Sequence, residues 1–409
     1  MSGNIMEKTE RACSGCGACA AVCPKDAVRL RMDRAGFLTA EVREDRCVEC
    51  GLCREVCSRF SEQNPKTNLY EARLYALQSM NRKTVRKCSS GGVAHELAES
   101  AVRRHYKAVG AVYDTSSDCV FHKVISRESD ISRLDGSKYL QSDPAAAFQR
   151  AVAEARENRD SCFYVFGTPC QIAGLDRALQ KYKIRDQFLL TEIFCHGVPS
   201  YKLWEEFCAR VQKKLKAERF DSVLFRYKKN DWHSYCLRVS AKNRTYYGAR
   251  ETELFWQVFF ENILLGDACY ECTARKEQSS ADLRIGDYWG ARFQNRSDGV
   301  SAVFACTERG QKVMEELIRE KRFRVLKETD AEEMLAAQNM AGYSQRTLHN
   351  EAMQVLRANG NIKDAVRYYR KRQSGRQKLK RFLLRASAVI PDGLRAGLRK
   401  ANSSRLLKK

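Results

Sequence analysis

Between Leu69 and Lys216 two apolar patterns take turns along the chain. Short blocks rich in β-branched and aromatic residues read as strands: LYEARLYALQS (69–79), AVGAVYD (108–114), CFYVF (162–166) and QFLLTEIF (187–194). Between them lie longer stretches with helical spacing: CSSGGVAHELAESAVRRHY (88–106), DPAAAFQRAVAEARE (143–157), TPCQIAGLDRALQKY (168–182) and SYKLWEEFCARVQKKLK (200–216). Strand and helix in strict alternation predict a mixed, mostly parallel sheet covered by helices, an α/β body that is α+β overall. Before Pro65 the pattern differs, with little apolar periodicity and many cysteines. Three domains are expected: 1–65, 66–341 and a basic helical tail at 342–409.

In that tail, Leu379, Phe382, Leu383, Val389 and Ile390 recur at helical spacing between Arg376 and Ile390, with Arg376, Lys378, Lys380, Arg381 and Arg385 among them. Pro391-Asp392-Gly393 should end the helix. Of the formal charge of +23, residues 363–409 carry +14, so basicity is mainly a property of this end. A basic amphipathic helix suits an anionic membrane surface or an acidic partner, and a solvated tail is the bland alternative. Nucleic acid is not expected, because the aromatics that would stack on bases are few.

The first residues have no apolar signal segment, and no run nears the eighteen apolar residues of a membrane span. A cytoplasmic protein is expected, peripheral at the inner membrane face if the tail docks there. Its eighteen cysteines then read as metal ligands, reactive thiols or core residues rather than disulfides. No G-x-G-x-x-G follows a strand, and P-loop, G-x-S-x-G and H-E-x-x-H patterns are missing, which disfavours Rossmann, kinase, hydrolase and zincin chemistry.

The cysteines carry the chemistry. Cys13, Cys16, Cys19 and Cys23 repeat the spacing of Cys47, Cys50, Cys53 and Cys57. Three thiolates at i, i+3 and i+6 grip three corners of a cubane, and in two-cluster ferredoxins the fourth ligand comes from the other run. Cys13, Cys16, Cys19 and Cys57 are therefore assigned to one 4Fe–4S cluster, and Cys47, Cys50, Cys53 and Cys23 to a second. Zinc, the bland alternative, gains nothing from three cysteines at consecutive x2 spacing. Further on, Cys170 and Cys195 each follow an expected parallel strand and so fall on one rim of the sheet. With Cys269 and Cys272 of CYEC they compose a potential third tetrathiolate site; ordinary buried thiols are the equal alternative. Ser89, Ser90, Gly91 and Gly92 open a helix, a place suited to phosphate or merely to an N-cap turn. His196, beside Cys195, reads as a packing or ligand-supporting residue.

The stretches SSGGVAHEL, DGSKYLQS, FGTPCQIAGL, FCHGVPSYKLW and ADLRIGDYWG, in this order between Leu69 and Ala341, resemble the coenzyme F-420 hydrogenase/dehydrogenase beta-subunit family in its form with an N-terminal dicluster ferredoxin domain. The resemblance implies an oxidoreductase that binds FAD beside a third 4Fe–4S cluster held by Cys170, Cys195, Cys269 and Cys272. It places FAD near Ser89–Gly92, Ser137, Lys138, Tyr139, Gly167 and Thr168, with Lys138 toward a phosphate or the flavin's electron-rich edge. Flavin and clusters together imply exchange between a two-electron hydride carrier or organic substrate and one-electron partners such as ferredoxin or a redox complex. Coenzyme F-420 and an intermediate of polysaccharide biosynthesis are the candidate substrates; a non-catalytic electron-transfer subunit is the alternative. No catalytic side chain is assigned.

Overall fold

The computed structural model describes residues 3–7, 12–60, 67–229, 231–326, 329–338, 340, 343 and 345–386. Its centre is a nine-stranded sheet. From one edge the strands run Phe323–Leu326, Arg73–Ser79, Ser301–Ala305, Leu283–Asp287, Phe188–Ile193, Phe163–Gly167, Lys107–Asp114, Cys119–Ile125 and Ser142–Asp143. The four middle strands, from Leu283–Asp287 to Lys107–Asp114, pair in parallel. Antiparallel pairs flank them, and the two-residue edge strand Ser142–Asp143 is parallel to its neighbour. The sheet is thus mixed, with parallel and antiparallel pairs equal in number rather than mostly parallel. Two of the flanking pairs, at Asp114–Cys119 and at Asp287–Ser301, are antiparallel because their strands join without a crossover helix.

Both faces of the middle strands are buried, as continuous apolar strands require. Phe163, Val165, Phe188 and Leu190 point to the helices Ala145–Glu157 and Pro169–Lys181. Tyr164 and Leu189 point to the other face, against Val93–Arg103 and Glu308–Arg319.

A separate core is built around the helix Tyr201–Leu215, where Trp204, Phe207, Phe225, Phe255 and Trp256 pack with the antiparallel strands Ser222–Leu224, Cys236–Ala241 and Arg244–Ala249. The same core takes in Ala352, Met353, Leu356, Ile362, Ala365 and Val366 from the helices Arg346–Asn359 and Ile362–Arg372. The expected tail boundary at 342 therefore does not follow the packing. Those helices bury an apolar stripe and turn their many basic residues outward, and that charge disguised them as a tail. Of the described helices after residue 345, Gly375–Ala386 keeps no buried residue. Val389, Ile390 and the Pro391-Asp392-Gly393 break lie outside the described residues.

The N-terminal segment forms a hairpin, Val28–Met32 with Leu38–Val42, between two short helical turns, Ala18–Ala21 and Leu52–Glu55. It is bolted to the body. Tyr201 N–H donates to Gly36 O (2.8 Å) and Tyr182 OH to Val22 O (3.0 Å), while Phe37 enters the Trp204 core.

Candidate functional site

Two glycines in the left-handed region, Gly17 (φ 76°) and Gly51 (φ 77°), let each cysteine loop turn directly into its helical turn. Amides then face the sulfurs: Gly15 N–H lies 3.4 Å from Cys13 Sγ and Ala27 N–H 3.2 Å from Cys23 Sγ. Cys16 and Cys19 sit within electrostatic reach of Cys13 and Cys57. Cys47, Cys50 and Cys53 line one cavity with Cys23. The fourth thiol of each set thus comes from the opposite run. Burial, then the neighbouring Cys57, pushes the Cys16 thiol up to about 12. Sulfurs crowded and desolvated in this way resist ionising unless a thiophilic metal compensates the charge, and such a donor set fits iron.

In the sheet, Phe163–Gly167 and Phe188–Ile193 run side by side, Gly167 opposite Glu192. Just past their ends Thr168 caps the helix Pro169–Lys181 in a reciprocal box with Gln171, which fixes Cys170 in the first turn. Cys195 leaves the neighbouring strand on the same rim. Cys269 sits in the turn Asp267–Tyr270 with Cys272 just beyond, and all four sulfurs line one cavity. Burial, with the other thiols of the set, pushes Cys195 up to about 12 and pushes Cys170 well up too. The loop bearing Cys272 is held from beneath. Arg284, fully buried on a central strand, bonds Glu192 (2.5 Å) and donates to the carbonyls of Ala274 (3.0 Å), Lys276 and Gln278 (2.9 Å).

This third set adjoins the first. A Cβ on Gly174 would stand 2.9 Å from Ala18 Cβ and 3.0 Å from Cys16 Sγ, so the missing side chain is what lets the N-terminal loop touch the helix bearing Cys170. Gln141 staples the same loop, donating to Ser14 O (3.1 Å) and Leu38 O (3.0 Å) and accepting from Leu38 N–H (2.7 Å).

On its other side the third cavity shares Thr168, Gln171, Cys195, Gly197, Val198 and Arg275 with a cleft that encloses about 2300 Å³, partly open to solvent. Ser89, Ser90, Gly92, Ser137, Lys138, Tyr139, Gly167 and Thr168 line this cleft. Gly91 does not; its N–H donates to Ser301 Oγ (2.9 Å) where the loop lies against the sheet. Ser89 Oγ accepts from Ser137 N–H (2.8 Å), joining the two expected segments. Lys138 departs from expectation. Its ammonium donates to the carbonyls of Arg133 (3.1 Å), Leu134 (3.0 Å) and Asp135 (3.0 Å), so its hydrogens close a turn instead of facing a ligand, and burial pushes it down to about 8. His196 pairs with Asn262 (2.7 Å) and packs on Phe259, a supporting role.

Other groups in the wall carried no separate sequence signal. Trp289 stacks on Trp232 at 5.0 Å, and Asp287 accepts from Trp232 Nε1 (2.7 Å); Asp287 and Trp289 both sit inside the ADLRIGDYWG stretch. Arg275, three residues past Cys272, is buried between cavity and cleft. Cys88, His95 and Asp135 meet at the cleft edge, with His95 Nδ1 2.7 Å from Asp135 Oδ1. The ammonium groups of Lys138 and Lys228 beside Cys88 oppose a metal cation there.

Residues 161–331 match the family described as the C terminus of the coenzyme F420 hydrogenase/dehydrogenase beta subunit, and residues 12–59 match the 4Fe-4S dicluster domain. A chain of the F420-reducing [NiFe] hydrogenase complex from Methanosarcina barkeri is similar over 72% of this chain and 96% of its own, at 15% identity and a TM-score of 0.46. No curated protein matches. Residues 161–331 are thus similar to the C-terminal domain of that family and follow a match to a 4Fe–4S dicluster domain.

Proposed function

We propose that this iron–sulfur protein, related to the F420 hydrogenase beta subunit, is a flavin-dependent oxidoreductase that exchanges electrons between one-electron carriers and a two-electron hydride carrier. The observation that carries this reading is contiguity. The N-terminal sulfur sets, the third set at the sheet rim and the large cleft follow one another, and each shares residues or contacts with the next.

Cys13, Cys16, Cys19 and Cys57 would hold one 4Fe–4S cluster, Cys23, Cys47, Cys50 and Cys53 a second, and Cys170, Cys195, Cys269 and Cys272 a third. FAD in the cleft would supply conversion between hydride and single-electron transfer. The chain's own residues do the positioning. The Ser89–Ser137 bond closes a polar rim at the start of the helix Val93–Arg103, where free amides suit a pyrophosphate. Tyr139, Phe259, Phe260 and Trp289 give the cleft an aromatic lining that excludes water around a ring system. Arg275 places a buried cation between cavity and cleft, where it favours the more negative, reduced state of either neighbour.

The deciding measurement is cofactor content after anaerobic purification: iron, acid-labile sulfide, zinc and released flavin per chain. About twelve irons and one FAD are expected. About eight irons without flavin would remove the converter, and zinc in place of iron would overturn the whole assignment. Reduction of coenzyme F420 or oxidation of its reduced form, followed at the flavin band, then tests the hydride carrier.

A further inference from the structure

The helix Gly375–Ala386 has two opposed sides. Counting about 100° per residue, its half-buried positions Gln377, Arg381 and Leu384 fall on one side, and that side rests on the body. Arg381 bonds Gln373 and reaches Glu261 (3.5 Å), which also pairs with Arg370 (2.9 Å). The opposite side carries Leu379, Phe382 and Leu383, which are 57%, 66% and 57% exposed. Phe382 is the most open large apolar side chain among the described residues, and only Val48 stands between it and Leu379 and Leu383. Arg376 and Lys380 border them on one flank, Lys378 and Arg385 on the other, and all four are exposed. Lys371 and Arg372, exposed at the end of the preceding helix, extend the basic border.

An apolar stripe aimed directly away from the protein and fringed by cations on both flanks matches a plane better than a groove. We propose that this helix seats the protein on an anionic membrane surface. Leu379, Phe382 and Leu383 insert at the headgroup–acyl boundary while the flanking cations meet lipid phosphates. The salt bridges to Glu261 hold the helix against the body, so the stripe is presented before any lipid arrives. The net +14 of residues 363–409 adds long-range attraction to the same surface. No helix among the described residues is long and apolar enough to cross a membrane, so the contact is peripheral.

Flotation of the full chain with vesicles of phosphatidylcholine, with and without phosphatidylglycerol, tests this. The native chain should float with the anionic vesicles and, at physiological salt, at least roughly tenfold less with the neutral ones. Replacing Leu379, Phe382 and Leu383 together by asparagine keeps every charge and should weaken anionic binding by roughly tenfold or more. All three are exposed, so the melting midpoint should hold, which separates lost insertion from lost fold. A native chain that stays with neither vesicle would discard the seat and leave an acidic protein as the partner. Equal flotation of the triple variant would reduce the contact to charge alone and overturn the proposal. Neither outcome depends on cofactor content, so this test stands apart from the redox reading.

Discussion

Inside residues 12–60 cysteines lie three or four positions apart, and left-handed glycines with short helical turns set their geometry. In the body, Cys170, Cys195 and the Cys269–Cys272 pair come from three distant segments, and the sheet brings them together. The two regions also differ in what else holds them. Around the N-terminal sulfurs the buried apolar residues are few and small, chiefly Ile5, Ala20, Val28 and Val42, and the cysteines themselves complete the cluster. The third set stands on strands whose both faces are packed with Phe, Leu and Val. In the first region a cluster and the fold would form as one thing; in the second the fold would precede the proposed cluster.

Cys19→Ser should break that contrast open. Loss of one metal set there removes several kcal/mol from a segment with little core. Residues 12–60 should become protease-sensitive while the body stays intact, and anaerobic limited proteolysis followed by mass spectrometry reads this directly. Cys170→Ser is the counterpart. Iron should fall by about a third, whereas the body's melting should weaken by only about 1–2 kcal/mol. Equal proteolytic damage from both substitutions would abolish the distinction.

Acid should separate the regions a second way. All six histidines lie in the body. His122 is buried in the cleft wall with Nε2 against Phe166 O (3.0 Å), and burial pushes its pKa from 6.5 down to about 4. The unfolded chain therefore binds the proton first. This stabilisation is complete above pH 6.5 and is lost as pH falls toward 4, by up to about 3 kcal/mol. His122→Leu should flatten the body's stability profile in that window and leave the N-terminal segment's unchanged. A profile with the native slope would show that other groups govern acid sensitivity.

How much of this was legible in the sequence follows the same division. The spacing, read through the two-cluster ferredoxin pattern, assigned Cys57 to the first run and Cys23 to the second, because the constraint is local. Cys170 and Cys195 were recognisable through the strands before them, which suggested a shared rim, and through the family resemblance, while Cys269 and Cys272 also stood out by their own spacing. Gln141, Arg275 and Arg284 were not legible as site residues; single polar side chains have no periodicity, and their role lies in which distant carbonyl or thiol they meet. Lys138 lines the cleft, but nothing in its sequence neighbourhood reveals the three carbonyls turned toward its ammonium. The helices after residue 345 were expected, but their packing into the core was hidden by composition, their arginines outweighing a narrow stripe of Ala, Met, Leu and Val.

Arg275 offers the smallest and sharpest test of where the regions meet. It donates to Tyr343 OH (2.5 Å), lies 4.0 Å over that ring, and its charge acts on Cys195 and Cys269. A cation so placed stabilises added negative charge, so Arg275→Gln should lower the reduction potential of the proposed third cluster by roughly 50–100 mV. The N-terminal sites, whose sulfurs face other groups, should stay where they are. Spectroscopically monitored redox titration of native and variant protein resolves the two. A uniform shift of every site would mean that the substitution had loosened the docking of the N-terminal segment, whereas a shift confined to one site would place Arg275 as the residue that sets the step between sheet rim and cleft.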